Sequence, residues 1–170
     1  MREAKPADAP RLESLRVRAW REAYPGMVEQ HVLDDLDPTD PAELAVWRTL
    51  IDEADLRVIV AENEGGDLIG FCALAAPSRD ADEPEGVAEI VALYVDPEHY
   101  RGGVGRAMVK RALLRLSEAG WKECTVWTLT ENMRALALYE SLGFRRDGQE
   151  RTEQFWLIPD VRLRVDLSVE

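Results

Sequence analysis

Three glycines, Gly102, Gly103 and Gly105, follow the apolar run Val87–Val95 and lead into a basic stretch that begins at Arg106. A backbone without side chains can approach a pyrophosphate closely and adopt dihedrals closed to other residues. At a helix start the free N–H groups turn toward an anion, and phosphate is the usual guest. The same spacing also makes a bare strand-to-helix turn. It is not a Walker loop, which needs Lys-Ser/Thr after the last glycine. Nor is it a dinucleotide fingerprint, because Met108 stands where a third small residue belongs. Asn132, Ala135, Tyr139 and Gly143-Phe144 form a second group. Helical spacing puts Asn132 and Tyr139 two turns apart on nearly one face. Taken singly, Asn132 reads as a helix cap and Tyr139 as a core aromatic. Together, downstream of the glycine turn, they are hard to read as packing alone.

The elements that must position these residues follow from periodicity. Arg2–Lys5 reads as a short strand closed by Pro6. Residues 8–24 form an amphipathic helix with Leu12, Leu15, Ala19 and Ala23 on one face, stopped by Pro25-Gly26. Short helices are expected over 28–36 and 41–54, the second with Pro41 in its first turn. Strands 57–62 and 68–76 meet at Gly65-Gly66, a hairpin signal. An acidic loop, 78–86, precedes strand 87–95 and helix 104–119, which Gly120 ends. Strand 124–129, helix 132–142 with Gly143 as its left-handed cap, and strands 144–151 and 162–167 complete the chain. Strands and helices intermix without repeats or long linkers, which predicts an α/β arrangement in one domain, residues 1–170.

Composition narrows the functions. The chain has 170 residues, enough for one domain with a real core, and 46% are apolar. Thirty-three acids against 21 bases give a net charge of −12, so neither nucleic acid nor an anionic membrane is an expected partner. The charge is uneven. Residues 96–115 hold five bases and two acids, whereas residues 78–89 hold one base and five acids. A basic turn beside an acidic flank suits a small anionic ligand next to an electropositive co-substrate, although solvated faces look the same. No apolar run approaches the roughly 20 residues that span a bilayer, and Met1–Lys5 has no signal-peptide core. Cys72 and Cys124 lie in apolar segments and read as buried thiols, so the expected location is cytoplasmic.

These two groups together resemble the GNAT (Gcn5-related N-acetyltransferase) superfamily. The resemblance covers roughly residues 57–146, with 11–24 fitting more loosely. In that family a hydrophobic strand ending in Val-x-Pro precedes R/Q-x-x-G-x-G/A. Here Val95-Asp96-Pro97 is followed by Tyr100-Arg101-Gly102-Gly103-Val104-Gly105. N-x-x-A-x-x-x-Y-x-x-x-G-F is matched by Asn132, Ala135, Tyr139, Gly143 and Phe144. One position departs: Tyr100 stands where the pattern has Arg or Gln, with Arg101 one step later. The resemblance implies a mixed, mostly antiparallel central sheet flanked by helices, whose splayed strands form a cleft for acetyl-CoA. It implies acetyl transfer to a primary amine in a ternary complex, without a metal. Leu93, Tyr94, Val95, Tyr100, Arg101, Gly102, Gly103, Val104, Gly105, Arg106, Asn132, Ala135 and Tyr139 become the expected cofactor contacts.

The implied chemistry can be set against the residues. An alkyl amine, of pKa near ~10.4, must lose a proton before it attacks. Attack on the thioester builds an oxyanion that oriented N–H groups can stabilise. The departing thiolate, of pKa near ~8.5, can take a proton from a phenol of pKa near ~10, which makes Tyr139 the candidate general acid. Glu89 is the candidate base and amine holder, because period-2 alternation places it on the strand face of Val91, Leu93 and Val95. Glu131 and His99 are weaker candidates. Trp20, Tyr24, the acidic segment 34–37 and Trp127 lie where an acceptor wall is expected, and aromatic faces with carboxylates suit a cation. The expected acceptor is therefore a small cationic amine such as a polyamine. A protein N-terminal or lysine acetyltransferase and a non-catalytic CoA-binding sensor are the alternatives, and a homodimer is left open.

Overall fold

The computed structural model describes residues 1–168. Seven strands form one sheet: β1 (Arg2–Glu3), β2 (Leu56–Glu62), β3 (Leu68–Ala75), β4 (Val87–Val95), β5 (Glu123–Leu129), β6 (Arg145–Arg151) and β7 (Asp160–Asp166). Their order is β1-β2-β3-β4-β5-β7-β6, and every neighbouring pair is antiparallel except the parallel pair β4–β5. The helices are α1 (Ala9–Ala23), α2 (Gln30–Asp34), α3 (Pro41–Asp52), α4 (Val104–Glu118) and α5 (Met133–Glu140). This is the mixed, mostly antiparallel architecture expected from the sequence. A parallel pair needs a crossover, and α4 is that crossover.

Apolar side chains fill both sheet faces. Met108, Val109, Ala112 and Leu116 of α4 and Leu136 and Tyr139 of α5 pack with Cys72, Leu74, Ile90 and Val126. On the other face, Leu12 and Leu15 of α1 and Trp47 of α3 pack with Val58, Val60, Phe71 and Ala73. Pro41 opens α3, where Asp40 accepts a hydrogen bond from the Ala42 amide. The helix expected over 28–36 shrinks to Gln30–Asp34, because Val28 is drawn into a bridge with Trp156. The last strand begins at Asp160, two residues earlier than expected.

Two irregularities in β4 create the site. Ala73 pairs with Ala92 and Leu74 with Ile90, so Val91 is an extra residue in a β-bulge. Strict alternation therefore fails, and the expected common face of Glu89, Val91, Leu93 and Val95 does not form. Val91 packs with the α1 side of the sheet and Leu93 with the α4 side. The β4–β5 ladder stops at Ile90–Val126, while β4 runs on to Val95 and β5 to Leu129. Beyond that point the two strands diverge and leave an open wedge.

Candidate active site

A cavity of about 570 Å³ lies at the free end of β4 and is walled by α1, the start of α4 and α5. The turn that feeds α4 has two left-handed residues, Arg101 (φ 62°) and Gly103 (φ 81°). Glycine takes that conformation at Gly103 without the clash a Cβ brings. At Gly102 a Cβ would lie 3.2 Å from the His99 carbonyl, a tight contact that favours glycine there. The first intrahelical bond of α4 is donated by the Ala107 amide to the Gly103 carbonyl at 2.9 Å. The amides of Gly103, Val104, Gly105 and Arg106 precede it and have no helical acceptor. Gly105, Val104 and Gly103 face the cavity, where these N–H groups suit a phosphate.

The side chains around that turn agree with this donor set. Arg101, Arg106 and Arg134 line the cavity, and none of the three forms a salt bridge among the described residues. Arg106 donates to the Ser141 hydroxyl at 2.7 Å, and the Arg134 guanidinium lies 4.0 Å from the Tyr100 ring centroid. Three uncompensated cations on a chain of net charge −12 form a local positive pole. The amides, the guanidiniums and the bare glycine backbone fit the phosphates of coenzyme A. Arg134 is absent from the sequence expectation. Its signal was its place in the first turn of α5, two residues after Asn132.

Leu93, Tyr94, Val95, Tyr100, Asn132, Ala135 and Tyr139 also line this cavity, as does His99. Gly102 does not: its amide bonds the His99 carbonyl at 3.3 Å, so it shapes the turn from behind. Asn132 is the N-cap of α5, accepting from the Ala135 amide at 3.2 Å, and still faces the cavity. Tyr139 is held by the T-shaped contact of its ring with Phe144, 5.4 Å between centroids. Gly143 (φ 95°) turns the chain there after α5. Burial pushes the Tyr139 phenol above its ordinary pKa.

A second cavity, of about 200 Å³, shares Tyr24, Leu93, Tyr94, Asn132, Ala135 and Tyr139 with the first. Its remaining wall includes Trp20, Trp127, Trp156, Val28, Val91, Leu129 and Arg151. Trp20, Tyr24 and Trp127 thus meet here as the sequence suggested. Arg151 and Trp156 were not foreseen, since β6 and the segment before β7 reach this place only through sheet pairing. Segment 34–37 and Glu131 lie on neither wall.

Glu89 also lies on neither wall, which corrects its expected place. Its carboxylate accepts from the Arg79 amide at 3.0 Å and the Ser78 hydroxyl at 3.5 Å, with the Arg79 guanidinium at 3.9 Å. It pins the acidic loop instead of facing the wedge. That loop is itself consumed by arginines from β7. Arg162 pairs with Asp80, Asp82 and Glu83 at 2.7–3.3 Å, and Arg164 with Glu83 at 2.6 Å. Asp80 further accepts from the Trp127 indole N–H at 2.7 Å.

The sequence signature of the acetyltransferase (GNAT) domain matches residues 54–146, more than half of the chain, and the protein belongs to that family. A mycothiol acetyltransferase of Kocuria rhizophila is 33% identical over 95 residues, 56% of this chain and 31% of that protein. The chain thus spans about a third of the length of the first curated relatives it matches. A probable N-acetyltransferase of Mycobacterium tuberculosis is 26% identical over 89% of this chain and 83% of its own. In fold, the chain is similar to a PaiA N-acetyltransferase of Thermoplasma acidophilum solved with coenzyme A. The TM-score is 0.79, with 18% identity, over 97% of this chain and 96% of that one.

Proposed function

We propose that this protein is an acetyl-CoA-dependent N-acetyltransferase acting on a primary amine by direct attack in a ternary complex, within one domain. The observation that carries this reading is continuity: one cavity runs from the amides of Gly103 and Gly105 to the Tyr139 phenol. When bound, acetyl-CoA supplies the activated acetyl thioester. The α4 amides with Arg101, Arg106 and Arg134 grip its phosphates. The Val91 bulge and the unpaired reach of β4 as far as Val95 leave main-chain groups free to hold the pantetheine arm and the acetyl carbonyl. Tyr139 Oη would give its proton to the departing sulfur and would be reprotonated by the proton that the attacking nitrogen loses.

The second cavity, at about 200 Å³, supports a small acceptor over a peptide segment. No described helix is long and apolar enough to cross a membrane. Buried, unpaired Cys72 and Cys124 support a reducing, cytoplasmic setting. Titration calorimetry with acetyl-CoA, followed by free-thiol release over a panel of amines, tests the reading. Failure to bind acetyl-CoA removes it, and tight binding without turnover on any amine replaces it with a CoA-sensing module.

A further inference from the structure

Resting on the acetyltransferase reading, we infer that the acceptor is an amine that also carries a carboxylate and an apolar or aromatic body. An α-amino acid with a large side chain has this chemistry, and a polyamine does not. Among the described residues the second cavity has no Asp or Glu on its wall, and its one charged lining residue is Arg151. In the acidic loop that would draw a polycation, Asp80, Asp82 and Glu83 are already paired with Arg162 or Arg164, and Asp80 is also engaged by the Trp127 indole N–H.

Two of the indole faces that could cage an ammonium, those of Trp127 and Trp20, are already taken. Arg151 and Arg162 lie 4.2 and 5.5 Å from the Trp127 ring centroid, and Arg16 lies 5.2 Å from that of Trp20. A second cation brought to these indoles meets a guanidinium of like charge. Arg151 spends its Nε on Asp160 at 3.1 Å and Glu153 at 3.3 Å. Its Nη1 is 3.8 Å from Asp80, beyond hydrogen-bond reach, and neither terminal nitrogen donates a hydrogen bond among the described residues. Those two nitrogens form the edge that binds a carboxylate. With the carboxylate on Arg151, the walls offered to the side chain are Trp127, Trp156 and Leu129, and Tyr139 lines the same cavity.

The test uses the whole protein, saturated with CoA for calorimetry and with acetyl-CoA for thiol release. Calorimetry and thiol release compare phenylalanine and tryptophan with phenethylamine and tryptamine, which lack only the carboxylate, and with spermidine. The amino acids should bind and react at least about tenfold better, the effect of one charge-assisted hydrogen bond to a carboxylate. Arg151→Gln should erase that preference while leaving CoA affinity unaltered. Arg151→Lys, which keeps the pair with Asp160, should retain part of it and guards against misfolding. Equal or better use of spermidine or of the decarboxylated amines overturns the inference. So does an amino-acid preference that survives Arg151→Gln, and so does a CoA-loaded protein that binds none of these acceptors. A protein that does not bind CoA at all refutes the underlying reading instead.

Discussion

Replacing Arg134 by Gln removes a guanidinium that the structure sets at the mouth of the cofactor cavity, stacked on the Tyr100 ring. Position 100 is where this chain departs from the family pattern, which has Arg or Gln there. The Arg134 guanidinium, from α5, lies over the Tyr100 ring and lines the same cavity, so it can supply a phosphate contact there. A charge-assisted hydrogen bond contributes about 1.5–3 kcal/mol when well shielded. Arg134 is exposed, so solvent and salt bring the value to the lower end. At 1.4 kcal/mol per factor of ten, the KM for acetyl-CoA should rise about tenfold. The kcat should barely change, because the contact is equally strong before and during transfer. Steady-state kinetics with acetyl-CoA and with S-acetyl-pantetheine, which has no phosphates, separate the electrostatic effect from a general disturbance of the cleft. Only the acetyl-CoA KM should move. Adding Tyr100→Arg to Arg134→Gln should recover most of the loss. Equal changes for both thioesters, or no recovery in the double variant, would refute the argument.

Three further outcomes are expected. Tyr139→Phe should lower kcat by about 10²–10⁴ with acetyl-CoA affinity nearly unchanged, read by kinetics beside calorimetry; an undiminished kcat assigns thiolate protonation to another group. Glu89→Gln should leave the pH–rate profile unshifted, because its carboxylate holds the Arg79 amide outside the wedge; a displaced acidic limb would restore it as the base. Asp8 is held at a pKa of about 2, first by its hydrogen bond from Arg2, below an unfolded value near 3.8. Its folded-state pKa is depressed, so its contribution is complete above about pH 4 and fades as pH falls toward 2. The difference in Tm between wild type and Asp8→Asn should therefore shrink over that interval, and a constant difference would refute the assignment.

The local geometry was legible from residue type and spacing. Glycines after an apolar strand announced the tight turn into α4, and its left-handed Gly103 follows from the lack of a side chain. Asn132 and Tyr139, seven residues apart on a helix, necessarily share a face, and both line the cavity. Helix and strand periods are short-range properties of the chain, so the elements were readable to within a few residues at their ends. The sheet order was accessible only through the family pattern.

What required the tertiary structure was everything set by partners distant in sequence. The Val91 bulge arises from the register of β4 on β3, and it overturned the face assigned to Glu89. The acidic loop looked like a lure for cations until Arg162 and Arg164 of β7 were seen to pair with Asp80, Asp82 and Glu83. Arg151 enters the acceptor cavity because β6 pairs at the sheet edge beyond β7, a placement with no local signature. Chain-local stereochemistry determines how each segment bends and which side chains share a face. Only long-range pairing decides which charges end up answering one another.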